Sequence, residues 1–105
     1  MAYLPDIYQQ FRKDFPEVNA AHEALSTKLH EEGPLDQRSR RLVKLGLAVG
    51  SQSQGAVRSH VRRALDEEFT PAEIEHAIVL GLTSVGFPAM IAALQWARDV
   101  FAARS

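Results

Sequence analysis

Four side chains in the middle of the chain have types and spacing that could do chemistry: Arg41, Ser53, Arg58 and His60. His60 ends the stretch SQSQGAVRSH, three residues after Val57 and four before Ala64, so helical spacing puts it on an apolar stripe. A histidine so placed can give or take a proton, because its unperturbed pKa lies near 6.5 and burial shifts it readily. It can equally be a core histidine satisfied by a backbone carbonyl or a hydroxyl. Ser53 precedes the same helix, where free backbone N–H groups gather; its hydroxyl could help to hold an anion or simply cap the helix. A serine nucleophile would need a base and an orienting group beside it, and no such arrangement is visible.

Arginine dominates the neighbourhood. Arg38, Arg40, Arg41 and Lys44 fall on one helical segment and Arg58, Arg62 and Arg63 on the next, over half of the twelve basic side chains. Guanidinium groups suit carboxylate or phosphate, so Arg41 and Arg58 are candidates to hold an acidic substrate. The alternative is a solvated face balanced by Asp66, Glu67 and Glu68. Two basic helices around a turn also suggest a helix-turn-helix. The second helix buries Val57, Val61 and Leu65, however, and the net charge of −1 gives no general attraction to nucleic acid. Glu73 and His76 form a Glu-x-x-His pair, but the chain lacks a second copy to complete a di-metal set. No metal or cofactor is assigned.

The elements that must position these residues read as helices throughout. Pro16 restarts a helix whose Val18, Ala21, Leu25 and Leu29 recur at helical spacing until Gly33-Pro34. Asp36 is an N-cap, Gly50 a C-terminal glycine, and a further helix covers about Gly55 to Glu68. Thr70-Pro71-Ala72-Glu73 is a capping box with proline at the first helical position. From Ile74 to Val85 the chain is apolar on more than one face, and Pro88 opens a last helix with equally wide apolar cover. Length and composition (105 residues, 46% hydrophobic, 24% charged) suit one folded domain over residues 1–105 rather than a disordered tail. The expected fold is all-α, a bundle of five or six helices. Its two broadly apolar C-terminal helices predict a homo-oligomer. There is no cysteine, no secretory leader pattern and no run near the ~18 apolar residues that span a bilayer, so the expected location is cytoplasmic, without membrane or nucleic-acid partners.

Three segments carry a resemblance. LDQRSRRLVKLGLAVG, VRSHVRRAL and FTPAEIEHAIVLGLTSVGFPAMIAALQWARDV, spanning about Leu35 to Phe101, resemble the carboxymuconolactone decarboxylase family, which shares its fold with the alkylhydroperoxidase D proteins. The resemblance implies an all-α fold assembled into trimers or hexamers. In the redox branch a glutamate, a Cys-x-x-Cys pair and a histidine form the site, with the thiols at a helix N-terminus that favours thiolate. On this chain the histidine matches His60, the cysteines fall on Ser53 and Ala56, and the glutamate falls on Arg41. Thiol peroxidase chemistry is therefore expected to be absent. The lactone-decarboxylating branch resembles Gly-Val-Pro-Ala-Ala-Asn before the last helix; here Gly86-Phe87-Pro88-Ala89-Met90-Ile91 puts isoleucine at the asparagine position, and Ser84 replaces an aromatic hydroxyl.

Two functions follow as expectations. One is a lyase or related proton-transfer enzyme on a small carboxylated substrate, with His60 moving the proton in a buried pocket and Arg41, Ser53 and Arg58 binding the acid. The other is a non-catalytic oligomeric binding or assembly module of the same fold.

Overall fold

Each helix begins and ends where a specific local interaction makes it do so. The computed structural model describes residues 6–104, which form helices α1 (Asp6–Asp14), α2 (Pro16–Glu31), α3 (Gln37–Gly50), α4 (Gln54–Asp66), α5 (Pro71–Val79), α6 (Leu82–Val85) and α7 (Phe87–Arg104), with no strand among the described residues. Asp36 caps α3, its carboxylate accepting from the Ser39 N–H at 2.7 Å. Ser53 caps α4, its hydroxyl accepting from the Ala56 N–H at 3.3 Å. The capping box of α5 is complete: the Glu73 N–H donates to Thr70 Oγ1 at 3.1 Å and the Thr70 N–H to Glu73 Oε1 at 2.8 Å.

The stop signals differ from expectation. Gly50 is the last helical residue of α3, and the left-handed position behind it belongs to Gln52, at φ 54°. The Ser53 N–H donates to the Ala48 carbonyl and the Gln52 N–H to that of Val49, the paired bonds of a Schellman motif. The same device closes α4 on Glu68, at φ 68°, with Phe69 bonded back to Ala64 and Glu68 to Leu65. The apolar run expected as one segment from Ile74 to Val85 is broken. α5 ends at Val79, and Gly81 packs so closely that a Cβ there would stand 3.1 Å from the Ile78 carbonyl oxygen. Gly86, at φ 91°, then turns the chain from α6 into α7.

The chain falls into two compact units, one ending at Leu35 and one running from Asp36, a division that the sequence reading did not draw. In the first, Pro16 starts α2, the Phe11 and Phe15 rings stack with centroids 5.8 Å apart, and Arg12 lies over Tyr8. No described residue of α1 or α2 is buried, and the stripe of Val18, Leu25 and Leu29 is exposed. The second unit holds the core. Leu45, Ala48 and Val49 of α3 meet Val57, Val61 and Ala64 of α4, Ile74 and Ile78 of α5, and Met90, Ala93, Ala97 and Val100 of α7. The intervals of three and four residues put each set on one face of its helix, and alanine at four of the contacts lets the helix backbones approach closely. No helix of the described residues is long and apolar enough to cross a membrane.

Because the α5 cap satisfies two helix-end N–H groups, Thr70→Ala should lower stability by about 1 kcal/mol while Thr70→Ser retains most of it. Denaturant unfolding of both variants checks this.

Candidate functional site at the α3–α4 seam

Arg41 is the one polar or charged residue among those described that is buried, at 8% exposure. The periodicity that sends Leu45 and Ala48 inward also sends Arg41 inward, one turn before Leu45. A guanidinium taken from water needs a counter-charge and acceptors. Both come from α4. Glu67, which caps the C-terminal end of α4, receives Nε of Arg41 on Oε1 at 2.9 Å and Nη2 on Oε2 at 2.8 Å, a two-pronged pairing. The third bond runs to His60: Arg41 Nη1 lies 2.8 Å from His60 Nδ1.

That contact sets the state of the imidazole. A guanidinium only donates, so Nδ1 must be the acceptor and the ring proton must sit on Nε2. Protonating Nδ1 would point two N–H groups at each other beside a fixed positive charge. His60 is thus held as a neutral imidazole of one tautomer, with a donor and no free lone pair for base chemistry at Nε2. The carboxylate that anchors the set is perturbed as well. The hydrogen bonds from Arg41 hold Glu67 below the ordinary carboxylate range against the opposing cost of burial, with smaller help from the Arg41 charge, a Gln37 hydrogen bond and the Arg63 charge.

Of the residues singled out from sequence, His60 and Arg41 come together. Arg41 does not fit its expected role as a clamp for a substrate carboxylate, because the paired edge of its guanidinium is occupied by Glu67. Ser53 is engaged as the α4 cap. Arg58 works on another side of α4, since residues two apart on a helix do not share a face. It donates to Asp99 of α7 at 3.3 Å, whereas His60 turns toward α3. Glu67 is the residue that sequence reasoning missed, treated only as part of a solvated acidic run. The available signal was Arg41 itself, whose position on the inward stripe of α3 demanded a carboxylate from elsewhere.

Apart from this set, an open groove of about 470 Å³ lies between α3 and α5, lined by Asp36, Arg38, Leu42, Phe69 and His76 among others but not by His60. There Arg38 stacks 3.9 Å from the Phe69 ring centre and pairs with Glu73 at 3.2 Å. Glu73 of the Glu-x-x-His pair is therefore committed to the α5 cap and to Arg38. Among the described residues no group of three or more His, Asp or Glu side chains could hold a metal ion.

The described residues are helical with no strand, which matches the all-α fold that the sequence resemblance implied. Residues 16–99 match the carboxymuconolactone decarboxylase family, and the chain belongs to it. The match begins at Pro16, earlier than the resemblance seen from Leu35 onward. No curated protein matches the chain.

The Glu67 pairing makes stability depend on pH. With its folded pKa held below the unfolded value of about 4.5, Glu67 contributes stability that is fully present above pH 4.5 and is lost as pH falls through the folded pKa. Glu67→Gln should cost roughly 3 kcal/mol near neutrality by stranding a buried guanidinium, and should flatten the acid side of the stability profile. Urea unfolding between pH 3 and 7 reads both.

Proposed function

We propose that this member of the carboxymuconolactone decarboxylase family is a homo-oligomeric small-ligand binding module, in which the family's site has been converted from proton and electron transfer to a fixed hydrogen-bonded constellation. The observation that carries this reading is the 2.8 Å contact from Arg41 Nη1 to His60 Nδ1, backed by Glu67. A general base needs an open lone pair near the substrate, and a general acid needs a proton that leaves readily near neutral pH. A neutral imidazole with Nδ1 filled and a proton on Nε2 offers neither. What the Arg41–Glu67–His60 set offers is a rigid, charge-paired support, which suits binding or assembly around a small ligand such as an organic acid rather than proton transfer. Thiol chemistry has no carrier in a chain without cysteine. Ser53 and Ala56 occupy the expected thiol positions, and Ser53 is spent as a cap.

Oligomerisation belongs to the same proposal. The second unit leaves Leu47, Leu80 and Phe87 each about 60% or more exposed, together with Val43 and Ile91. Association of several copies, in keeping with the trimers or hexamers of the family, would remove that surface from water.

Proton-transfer catalysis is the reading this one displaces, and a direct assay separates them. Incubated with carboxymuconolactone, the purified protein should release no CO₂ above background, and His60→Ala should leave that baseline unchanged while lowering thermal stability. Native mass spectrometry on the same preparation should show a homo-oligomer. Decarboxylation that disappears in His60→Ala would overturn the proposal, as would a stable monomer.

A further inference from the structure

The α4–α7 seam carries a second cluster of cations, arranged differently from the first. Arg58 and Arg62 lie one turn apart on the same side of α4. Arg104, from the last turn of α7, reaches the same place: its Nη1 lies 3.5 Å from the Arg62 carbonyl oxygen and its Nη2 pairs with Asp66. Two carboxylates serve this group, Asp66 for Arg104 and Asp99 for Arg58, the latter also held by Gln95 at 2.8 Å. Arg62 has no side-chain hydrogen bond or ion pair among the described residues, although it is partly buried. Arg58 is under-satisfied in its pairing: its Nε is buried and is the one such side-chain atom among the described residues without an acceptor.

We propose that this seam is an oxyanion-binding site, in which Arg62 and Arg58, flanked by Arg104, grip the phosphate or carboxylate group of a small ligand. Three guanidinium groups share two carboxylates, so the cluster is short of one negative charge and of acceptors for two arginines. A tetrahedral or planar oxyanion supplies both, and guanidinium groups bind either through paired N–H donors. The local electrostatics agree. Arg62 gives up its proton more readily than an ordinary arginine, first because of burial and then because Arg58, Arg104 and Arg63 are positive. A bound anion would relieve that repulsion. Asp66 and Asp99 interrupt the cationic patch, which suits a small ligand, and a net charge of −1 gives the chain no general attraction to a nucleic-acid backbone. The site is independent of the Arg41–Glu67–His60 set, which faces α3.

The test is titration of the full chain with inorganic phosphate, and separately with acetate, at low ionic strength, following arginine Nε–Hε signals by NMR. Saturable shifts centred on Arg58, Arg62 and Arg104 are expected. Arg62→Gln should weaken binding about ten- to a hundredfold, the loss of a charge-assisted pair, and Arg62→Lys by less. Arg38→Gln, in the α3–α5 groove, should leave it unchanged. Stronger binding of phosphate than acetate would assign a phosphorylated ligand, and the reverse a carboxylic acid. Non-saturating shifts spread over all exposed arginines would overturn the proposal. So would unchanged phosphate affinity in Arg62→Gln accompanied by loss of the oligomer, which would give Arg62 a carboxylate on a second copy.

Discussion

A guanidinium removed from water must be given a counter-charge and acceptors in fixed positions, and Arg41 imposes that requirement on the α3–α4 seam. Its side chain is buried because α3 turns the same face inward at Arg41, Leu45 and Ala48. Leaving such a charge unpaired would cost several kcal/mol, a large part of the stability of a small domain. Glu67 therefore has to stand at the end of α4, and α4 has to stop just there. The Schellman closure on Glu68, despite its left-handed backbone, achieves this. The end of α4, the turn behind it and His60 thus meet at one ion pair.

The chemistry follows from the sign of that charge. In the family's redox branch, as the sequence resemblance had it, position 41 is a glutamate beside a histidine, and a carboxylate beside an imidazole raises its basicity and welcomes a second proton. Here the group on the imidazole is a cation and the carboxylate stands behind it. With a cation against Nδ1, the imidazole is fixed as the neutral tautomer protonated on Nε2. A carboxylate and a guanidinium at position 41 thus act in opposite senses on the same imidazole.

Much of the fold was legible because local signals and helical periodicity agree. The Thr70 capping box, the Asp36 cap and Pro16 each mark the start of one helix, and the intervals of α4 specify its buried face. What was not legible involved contacts distant in sequence or backbone conformations that side chains do not announce. Gln52 and Glu68 take left-handed positions for which glycine is the usual signal. The break between α5 and α6 falls at Leu80-Gly81, where a Cβ on Gly81 would crowd the Ile78 carbonyl oxygen, a local backbone feature that the apolar character of the run does not announce. In the site, His60 and Arg41 were found one by one, but their pairing and the role of Glu67, twenty-six residues from Arg41, depend on how α3 and α4 lie together. Arg58 was grouped with His60 by nearness in sequence, and the helix separates them.

The protonation state of His60 is the most direct consequence of its contact with Arg41. Long-range ¹⁵N–¹H correlation spectra of the imidazole at pH 7 should show a neutral ring with its proton on Nε2 and an acceptor pattern at Nδ1, and Glu67→Gln should disturb that pattern. An imidazolium at pH 7, or a neutral ring protonated on Nδ1, would contradict the account, because Arg41 would then not be bonded to His60 and the ring would be open to proton transfer.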